Sequence, residues 1–270
     1  MKISVIIPTY KPKEYLWECL DSLVKQTFSK EDFEVILVLN GCCEPWKEEI
    51  ETYIASKMQG VNVNFIQTDT PGVSNARNVA LDNAKGEYVT FIDDDDFVSP
   101  KFLNELYEKA TPDTISLCYP FAFNDGDSST QIPYRITEAY EYCVRNNKST
   151  LSSKVRKFFS GPCMKLIPMS FIQDRRYDVR FKNGEDSLFM FLISDKISKV
   201  SFTSKEAVYY RRYRENSAVI SKRSRKEKFR NSRLMTLEYC YIYVNGGYST
   251  IFFLTRILSE FIFALKTIVK

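Results

Sequence analysis

The 270-residue chain contains no histidine. This absence excludes histidine metal sites, Ser-His-Asp triads and histidine general bases, because each of them needs an imidazole ring. Acid–base chemistry in this chain therefore has to rest mainly on carboxylates, lysine, tyrosine or cysteine.

Cysteine is present, but without the spacing of a metal site. The seven cysteines are odd in number and include no Cys-x-x-Cys pair of the kind that binds zinc. Several lie among apolar residues, where a free thiol behaves as a small hydrophobe. We therefore expect reduced cysteines and a cytoplasmic protein.

The sequence also lacks internal repeats and low-complexity linkers. Residues 1–8 run directly into a β-branched segment, so we expect no signal peptide. Hydrophobic residues make up 44% of the chain, which excludes a disordered chain and is enough for a sizeable core.

Apolar runs alternate with amphipathic segments through the first hundred residues. Predicted strands cover 3–7, 33–39, 61–67 and 88–92, and predicted helices cover 13–27, 45–58 and 73–84. Gly86 is predicted to end the last of these helices. Strands that alternate with helices in this way favour an α/β fold with a mostly parallel sheet, as in nucleotide-binding half-domains.

The second half of the chain is less regular. Predicted helices cover 102–110, 138–160 and 187–195, and predicted strands cover 114–119, 163–167 and 198–210. Residues 124–135 are rich in Asp, Ser and Gly and are predicted to form a surface loop.

Four consecutive aspartates, residues 93–96, follow the last strand of the first half. Ligands of open α/β sheets bind at the carboxyl ends of the strands, and Mg²⁺ is often held there by one or two carboxylates plus substrate phosphates. This pattern predicts a metal–diphosphate site. The alternative is an acidic, solvated turn.

Positive charge is concentrated near the C-terminus. Basic residues outnumber acidic ones by ten to two in residues 211–233, although the whole chain carries only +4. The following residues, 248–269, are apolar and about as long as a membrane span, but Arg256, Glu260 and Lys266 form a polar stripe that is costly in a bilayer. We expect residues 222–269 to lie on an anionic membrane surface. The alternatives are a helix packed on the protein's own core and a true span.

Three stretches carry a resemblance to a known family. They are Ser-Val-Ile-Ile-Pro-Thr-Tyr at 4–10, the long segment from Pro-Gly-Val-Ser-Asn-Ala-Arg-Asn to the aspartates at 71–96, and Lys-Asn-Gly-Glu-Asp-Ser-Leu-Phe at 182–189. In order and spacing the chain resembles the inverting family 2 glycosyltransferases of bacterial surface-polysaccharide type, over about residues 1–220. This resemblance implies a Rossmann-like GT-A fold with a nucleotide-binding half (1–100), an acceptor half (101–220) and C-terminal helices (221–270).

The resemblance also implies roles for the aspartates. Asp93 and Asp95 match the D-x-D element, in which one carboxylate faces the ribose and the other binds Mn²⁺ or Mg²⁺. We assign the ribose to Asp93 and the metal to Asp95, because the metal neutralises the charge of the leaving nucleoside diphosphate. Asp94 occupies the variable position of the element within the donor site, and Asp96 is a neighbour that caps the following turn.

The other donor-binding candidates implied by the resemblance are Pro8, Thr9, Tyr10, Asn40, Arg77, Arg212, Arg214 and Ser217. Pro8, Thr9 and Tyr10 are expected to wrap the base, and Arg77 to lie near the nucleotide. The arginines near 212 and Ser217 are expected to contact the diphosphate from a loop that closes over the donor. The alternative for Pro8, Thr9 and Tyr10 is an ordinary strand-to-helix turn. For Arg77 it is a surface arginine, and for the residues near 212 it is a solvated basic loop.

Asp186 matches the catalytic base of the family, with Glu185 beside it. In an inverting transfer one carboxylate removes the proton of the acceptor hydroxyl, and the chain has no histidine for this task. The alternative is an acid pair that stabilises a helix N-terminus, which is compatible with the catalytic role.

Asn40 departs from the family pattern, since many relatives have an aspartate there that reads uracil. An amide can still accept from one base group and donate to another. The resemblance thus implies a metal-dependent transferase with a nucleotide-sugar donor, UDP-linked by preference, and a polyprenyl-linked or growing glycan acceptor. It implies no nucleic-acid partner and a place on the inner face of the cytoplasmic membrane. The rival functions are a two-carboxylate glycoside hydrolase and a non-catalytic relative that binds a nucleotide sugar or a lipid head group.

Overall fold

The computed structural model describes residues 1–214 and 224–269. In these residues the strands are β1 (Ile3–Thr9), β2 (Phe33–Asn40), β3 (Asn62–Thr68), β4 (Tyr88–Phe91), β5 (Phe97–Val98), β6 (Thr114–Leu117), β7 (Tyr119–Asn124), β8 (Lys165–Pro168), β9 (Lys199–Phe202) and β10 (Val208–Tyr213). The helices are α1 (Tyr15–Val24), α2 (Trp46–Lys57), α3 (Val73–Asn83), α4 (Phe102–Lys109), α5 (Arg135–Arg145), α6 (Met169–Ile172), α7 (Glu185–Leu192), α8 (Arg225–Val244) and α9 (Thr250–Val269). Short 3₁₀ helices cover Val155–Ser160 and Ser194–Lys196.

The main sheet has seven strands in the order β3-β2-β1-β4-β8-β6-β9. The first four are parallel, with Ile3 paired with both Phe33 and Tyr88. Every residue of β1 and β2 is buried, as expected for the central strands of a sheet covered on both faces. This α/β architecture confirms the predicted fold class.

The second half of the chain completes the sheet in a way that the sequence pattern did not predict. Strand β8 inserts antiparallel between β4 and β6, and β9 pairs parallel with β6. The predicted strand 114–119 divides at Cys118, and its two parts join different sheets, because β7 pairs with β10 beside β5 in a separate three-stranded sheet. This small sheet places β10 next to the aspartates.

Gly86 has a different role from the predicted one. Helix α3 ends at Asn83, and the next residue, Ala84, is already extended with a φ of −72°. A side chain on Gly86 would place its Cβ 2.4 Å from the backbone nitrogen of Ser4, whose hydroxyl accepts a hydrogen bond from the Gly86 N–H at 2.8 Å. Glycine is therefore required by the close approach to β1, not by a helix end.

The C-terminal helices α8 and α9 pack on each other and on α7. Ser224 begins α8 with a capping box, in which its hydroxyl accepts from the Glu227 N–H while the Glu227 carboxylate accepts from the Ser224 N–H. Tyr239 and Phe252, both buried, contact the ring of Phe191 edge-on. These aromatic contacts attach the helical pair to the rest of the fold.

Two members of the predicted polar stripe of α9, Arg256 and Glu260, lie against the protein. Arg256 faces the protein, where its guanidinium donates to the Phe159 carbonyl, and Glu260 is half-buried beside α8. Most exposed positions are apolar, namely Ile251, Leu254, Leu258, Phe261, Ile262, Phe263 and Leu265, although Thr255, Ser259 and Lys266 are exposed too. None of the helices in residues 1–214 and 224–269 combines the length and hydropathy needed to cross a membrane.

Candidate active site

The carboxyl ends of β1, β2 and β4 meet at one edge of the main sheet, because these strands are parallel and adjacent. A cleft of about 640 Å³ opens at this edge. It is lined by Pro8, Thr9, Tyr10, Tyr15, Asn40, Pro71, Gly72, Val73, Asp93, Asp94, Asp95, Arg211 and Arg214. We call it the donor cleft. It brings together most of the donor-binding residues that the sequence predicted.

Asp94 is bound to the end of β1. Its carboxylate accepts from the Thr9 hydroxyl at 2.5 Å. Burial, together with repulsion from Asp95 and Asp93, raises the pKa of Asp94 to about 7, although the Thr9 hydrogen bond lowers it. Asp94 is therefore a weaker acid than an exposed aspartate, and its carboxylate is already hydrogen-bonded within the protein.

Asp95 is paired with an arginine. The Arg214 guanidinium contacts the Asp95 carboxylate at 2.5 and 2.7 Å, and it also lies over the Tyr15 ring, 4.4 Å from its centre. Burial and repulsion from Asp93 raise the pKa of Asp95, and Arg214 opposes this shift. Arg214 is thus a cation that already compensates the carboxylate predicted to bind the metal.

Asp96 is buried, with only 1% of its surface exposed. Its N–H closes the turn onto the Asp93 carbonyl at 3.0 Å, and one carboxylate oxygen accepts from the Arg212 N–H at 2.8 Å. The other oxygen has no hydrogen-bond partner in the described part of the chain. Burial raises the pKa of Asp96 well above its ordinary value.

Asn40 is buried and connects three segments at the rear of the donor cleft. Its amide nitrogen donates to the Thr9 carbonyl at 2.6 Å, and its amide oxygen accepts from the Gly72 N–H at 2.8 Å. Half of the hydrogen-bonding capacity of the amide is thus used within the protein.

Arg77 does not line the donor cleft. Its side chain is 4% exposed and bridges two carboxylates, Asp186 at 2.6 Å and Asp93 at 3.1 Å. Burial alone would lower the pKa of Arg77, but Asp186, Tyr177 and Asp93 outweigh it and raise the pKa. The guanidinium lies 5.4 Å from the centre of the Tyr177 ring, which stacks on Phe189. Arg77 therefore fixes the two acids relative to each other.

Asp186 lies in the first turn of α7, directly after Glu185. The helix starts there because Gly184 adopts a left-handed conformation (φ 82°), which a residue with a side chain rarely tolerates. Within residues 1–214 and 224–269, hydrogen bonds engage only Oδ1 of Asp186, so Oδ2 remains available to a ligand. Burial raises the pKa of Asp186, while Arg77 lowers it.

A second cleft of about 550 Å³ opens on the other side of Asp186. It is lined by Asp93, Tyr134, Arg135, Ile136, Phe158, Ser160, Gly161, Pro162, Cys163, Met164, Asp186, Arg211 and Tyr213. We call it the acceptor cleft. Asp93 and Arg211 line both clefts, so the two clefts meet beside Asp186.

Arg211 is a site residue that the sequence analysis missed, and Arg212 lies elsewhere. The Arg211 guanidinium is 3.9 Å from the Asp93 carboxylate. Arg212 points to the opposite face of β10, where it contacts Glu18 and Asp125. Successive side chains of a strand point to opposite faces of the sheet. A sequence prediction that extended β10 to Tyr213 would therefore have placed Arg211 and Arg212 on opposite faces.

Lys165 was also missed. It is fully buried in β8, where its amine donates to the carbonyls of Gly161 and Cys163 at 2.6 Å each. Burial lowers the pKa of Lys165 to about 8. The lysine thereby holds the segment that forms one wall of the acceptor cleft. A single lysine within an apolar strand is a weak sequence signal.

The carboxylates of the donor cleft can be tested against the predicted metal. No group of three or more His, Cys, Asp or Glu side chains in the described residues is arranged to hold an ion. A metal here would depend on one or two carboxylates plus donor phosphates, which is how Mg²⁺ is usually bound. Asp93 and Asp95 both line the cleft; burial and, after it, the charge of Asp93 raise the pKa of Asp95, and a bound cation would relieve both effects. The oxygen donors therefore fit Mn²⁺ or Mg²⁺. Ser217, the last of the predicted donor contacts, lies outside the described residues.

Several known proteins are similar to this chain in sequence. Residues 4–175 match the family model described as glycosyl transferase family 2. The poly(ribitol-phosphate) beta-N-acetylglucosaminyltransferase TarS of Staphylococcus aureus is 29% identical over 224 residues, which are 82% of this chain and 37% of TarS. A poly(ribitol-phosphate) beta-glucosyltransferase of Bacillus spizizenii is 30% identical over 78% of this chain and 32% of its own length. The chain thus spans about a third of these relatives.

Two solved structures share the fold. A crystal structure of residues 1–349 of S. aureus TarS with UDP-GlcNAc has a TM-score of 0.74 and 24% identity, covering 97% of this chain and 72% of that one. The mannosyltransferase PcManGT of Pyrobaculum calidifontis, with GDP-Man and Mn²⁺, has a TM-score of 0.65 and 15% identity, covering 98% and 72%.

Proposed function

The chain belongs to glycosyl transferase family 2, and from this we propose that it is an inverting, metal-dependent glycosyltransferase that uses a nucleoside diphosphate sugar. The observation that carries the proposal is the position of Asp186 in the acceptor cleft, joined through Arg77 to Asp93, which lines both clefts. Arg77 holds this acid and Asp93 together, so a base candidate lies beside a donor-binding candidate. Transfer needs this juxtaposition of a reacting sugar and a proton acceptor.

In the proposed reaction Asp186 is the general base. Its Oδ2 accepts the proton of the acceptor hydroxyl as that oxygen forms a bond to the anomeric carbon and the nucleoside diphosphate leaves. The raised pKa of Asp186 makes the carboxylate a stronger base than an exposed aspartate. Arg77 keeps it ionised and oriented, and Glu185 is assigned a supporting place beside it.

Donor binding is assigned to the residues of the donor cleft. Asp95 is proposed as the metal ligand and Asp93 as the ribose ligand, while Arg214 and Arg211 face the diphosphate. When bound, the metal supplies positive charge that stabilises the leaving diphosphate. Arg214 is paired with Asp95 and lines the donor cleft, so we propose that it also contacts the diphosphate.

UDP is the proposed nucleotide. This choice of nucleotide is supported by the TarS structures, which contain UDP-GlcNAc and UDP. A different relative binds GDP-Man, so the base depends on this chain's own residues. Pro8, Thr9 and Tyr10 border the cleft, and Asn40 keeps one amide hydrogen and one lone pair that a uracil edge can use.

The proposed acceptor is a polyprenyl-linked or growing surface glycan at the inner face of the cytoplasmic membrane. Relatives named for poly(ribitol-phosphate) transfer support a cell-surface polymer. The outward apolar residues of α9 and the basic start of α8 support contact with an anionic membrane surface.

Donor turnover tests the proposal and separates it from a non-catalytic nucleotide-sugar or lipid-binding relative. Purified protein with Mn²⁺ is offered a panel of nucleotide sugars with mixed acceptors, and released nucleoside diphosphate is measured. Release that depends on Mn²⁺ and disappears in Asp186→Asn supports the transferase. Donor binding without release from any mixture supports the non-catalytic relative.

A further inference from the structure

Arg135 lines the acceptor cleft, and two further arginines, Arg156 and Arg256, contact residues next to its wall. The 3₁₀ helix Val155–Ser160 contributes Phe158 and Ser160 to the cleft wall, and Arg135, at the start of α5, lines the same wall. Arg135 donates to the Ser160 hydroxyl at 3.4 Å. Arg256 of α9 donates to the Phe159 carbonyl, one residue earlier.

Arg156 lies in the same group. Its guanidinium is 5.9 Å from the centre of the Phe252 ring, and that of Arg256 is 4.7 Å from the same ring. Three elements distant in sequence therefore direct Arg135, Arg156 and Arg256 to one region. We call these residues the arginine cluster.

The arginine cluster has little compensating charge. Other arginines in the interior of the fold, such as Arg77 and Arg175, form ion pairs with aspartates. None of the three cluster residues is within 4.0 Å of a carboxylate oxygen in residues 1–214 and 224–269. The charge of Glu260 raises the pKa of Arg256, although the two side chains do not form an ion pair within 4.0 Å.

Partial burial of two of the three arginines increases the cost of this arrangement. Arg156 and Arg256 are half-buried, and the buried Nε of Arg256 has no hydrogen-bond partner among the residues that the structure describes. Burial lowers the pKa of Arg256; Tyr239 and Glu260 raise it in part, and repulsion from Arg135 and Arg156 lowers it again. Like charges held close with restricted access to water are unfavourable unless an anion joins them.

We propose that Arg135, Arg156 and Arg256 bind a phosphate ester of the acceptor. This inference rests on the proposed function, because it assigns a chemical group to the substrate of the acceptor cleft. The planar donors of arginine match the oxygens of a phosphate group, and relatives of this chain are named for polymers of ribitol phosphate. A polyol-phosphate chain and a prenyl diphosphate both supply this chemistry.

Binding of two probes to the full chain, without donor, tests the proposal. One probe is a ribitol-phosphate oligomer and the other is a short-chain prenyl diphosphate, each titrated by calorimetry. Arg135→Gln and Arg156→Gln are expected to raise the Kd of the acceptor-class probe at least about tenfold. Arg145→Gln is the matched control, since Arg145 ends the same helix as Arg135 but is exposed outside the cluster. It is expected to leave the Kd within about twofold.

The outcomes separate the sources and the two proposals. Preference for one probe identifies whether the phosphate comes from a polyol chain or from a lipid carrier. The proposal is overturned if neither probe binds the wild-type protein, or if the cluster variants bind the probes as tightly as the wild type does. It is also overturned if glucuronate displaces a bound probe as well as phosphate does. Because no transfer is measured, this result is independent of donor turnover. Arg135 is exposed, so its variant is expected to melt at the wild-type temperature and remains informative if Arg156→Gln does not fold.

Discussion

Replacing Arg77 tests the centre of the proposed site. Arg77→Met keeps most of the aliphatic volume and removes the cation that joins Asp93 and Asp186. Breaking a buried ion pair typically costs about 3–5 kcal/mol, because a charge remains without its partner. The two carboxylates are 30% and 29% exposed and recover some hydration, so we expect a loss of about 2–4 kcal/mol in the free energy of unfolding.

The same substitution is expected to shift the pH dependence of transfer in one defined direction. Burial raises the pKa of Asp186 and Arg77 lowers it, so removing Arg77 raises the pKa further. The base must be deprotonated to act, and therefore the acidic limb of kcat/KM moves to higher pH in Arg77→Met. Urea unfolding measures the first effect and a pH–rate profile the second.

Arg176→Met is the matched control for Arg77. Arg176 pairs at 2.7 Å with Asp82, whose side chain is 60% exposed, so the loss is expected to be about 1 kcal/mol or less with no shift of the acidic limb. An Arg77→Met protein as stable as this control, or an acidic limb that does not move, would refute the reasoning about the Asp93–Arg77–Asp186 bridge.

Three further substitutions test the other assignments. Asp95→Ala is expected to remove Mn²⁺-dependent donor affinity in calorimetry, and an unchanged affinity would contradict its role as metal ligand. Asp186→Asn is expected to retain donor affinity while transfer falls at least about a hundredfold, the usual contribution of a general base; a wild-type rate would exclude that role. The double variant Leu254→Glu/Leu258→Glu changes two leucines that are both 56% exposed on one face of α9, and it is expected to release the protein from anionic vesicles in a flotation assay. The control Val179→Glu changes a residue that is 61% exposed elsewhere, and it is expected to leave the protein bound. Equal release of the two variants would contradict membrane contact through α9.

The first hundred residues could be predicted well because their signals are local. Strands such as β1 are continuous β-branched runs, and α3 shows small residues at helical spacing where it packs on the sheet. The later strands depend on pairing between distant segments. The antiparallel insertion of β8 and the division of residues 114–119 between two sheets follow from tertiary contacts that periodicity does not encode.

The sequence could place the candidate residues at one edge of the sheet, but it could not indicate which side chains they would pair with. The motif placed Asp93 and Asp95 at the sheet edge, where the structure also has them. It did not indicate that Arg77 would be buried between two acids, since a buried ion pair needs its partner from another part of the chain. Arg256 is a similar case, because an arginine in an apolar helix indicates amphipathicity without indicating which face meets the protein.

The amide of Asn40 has a consequence for engineering donor choice. It ties the end of β1 to the Pro71-Gly72 turn through one donated and one accepted hydrogen bond. An aspartate at this position has no N–H to donate to the Thr9 carbonyl and would add a fifth acid beside residues 93–96. Converting Asn40 to aspartate therefore requires a compensating donor near Thr9, so a change at this position and the local backbone have to be designed together.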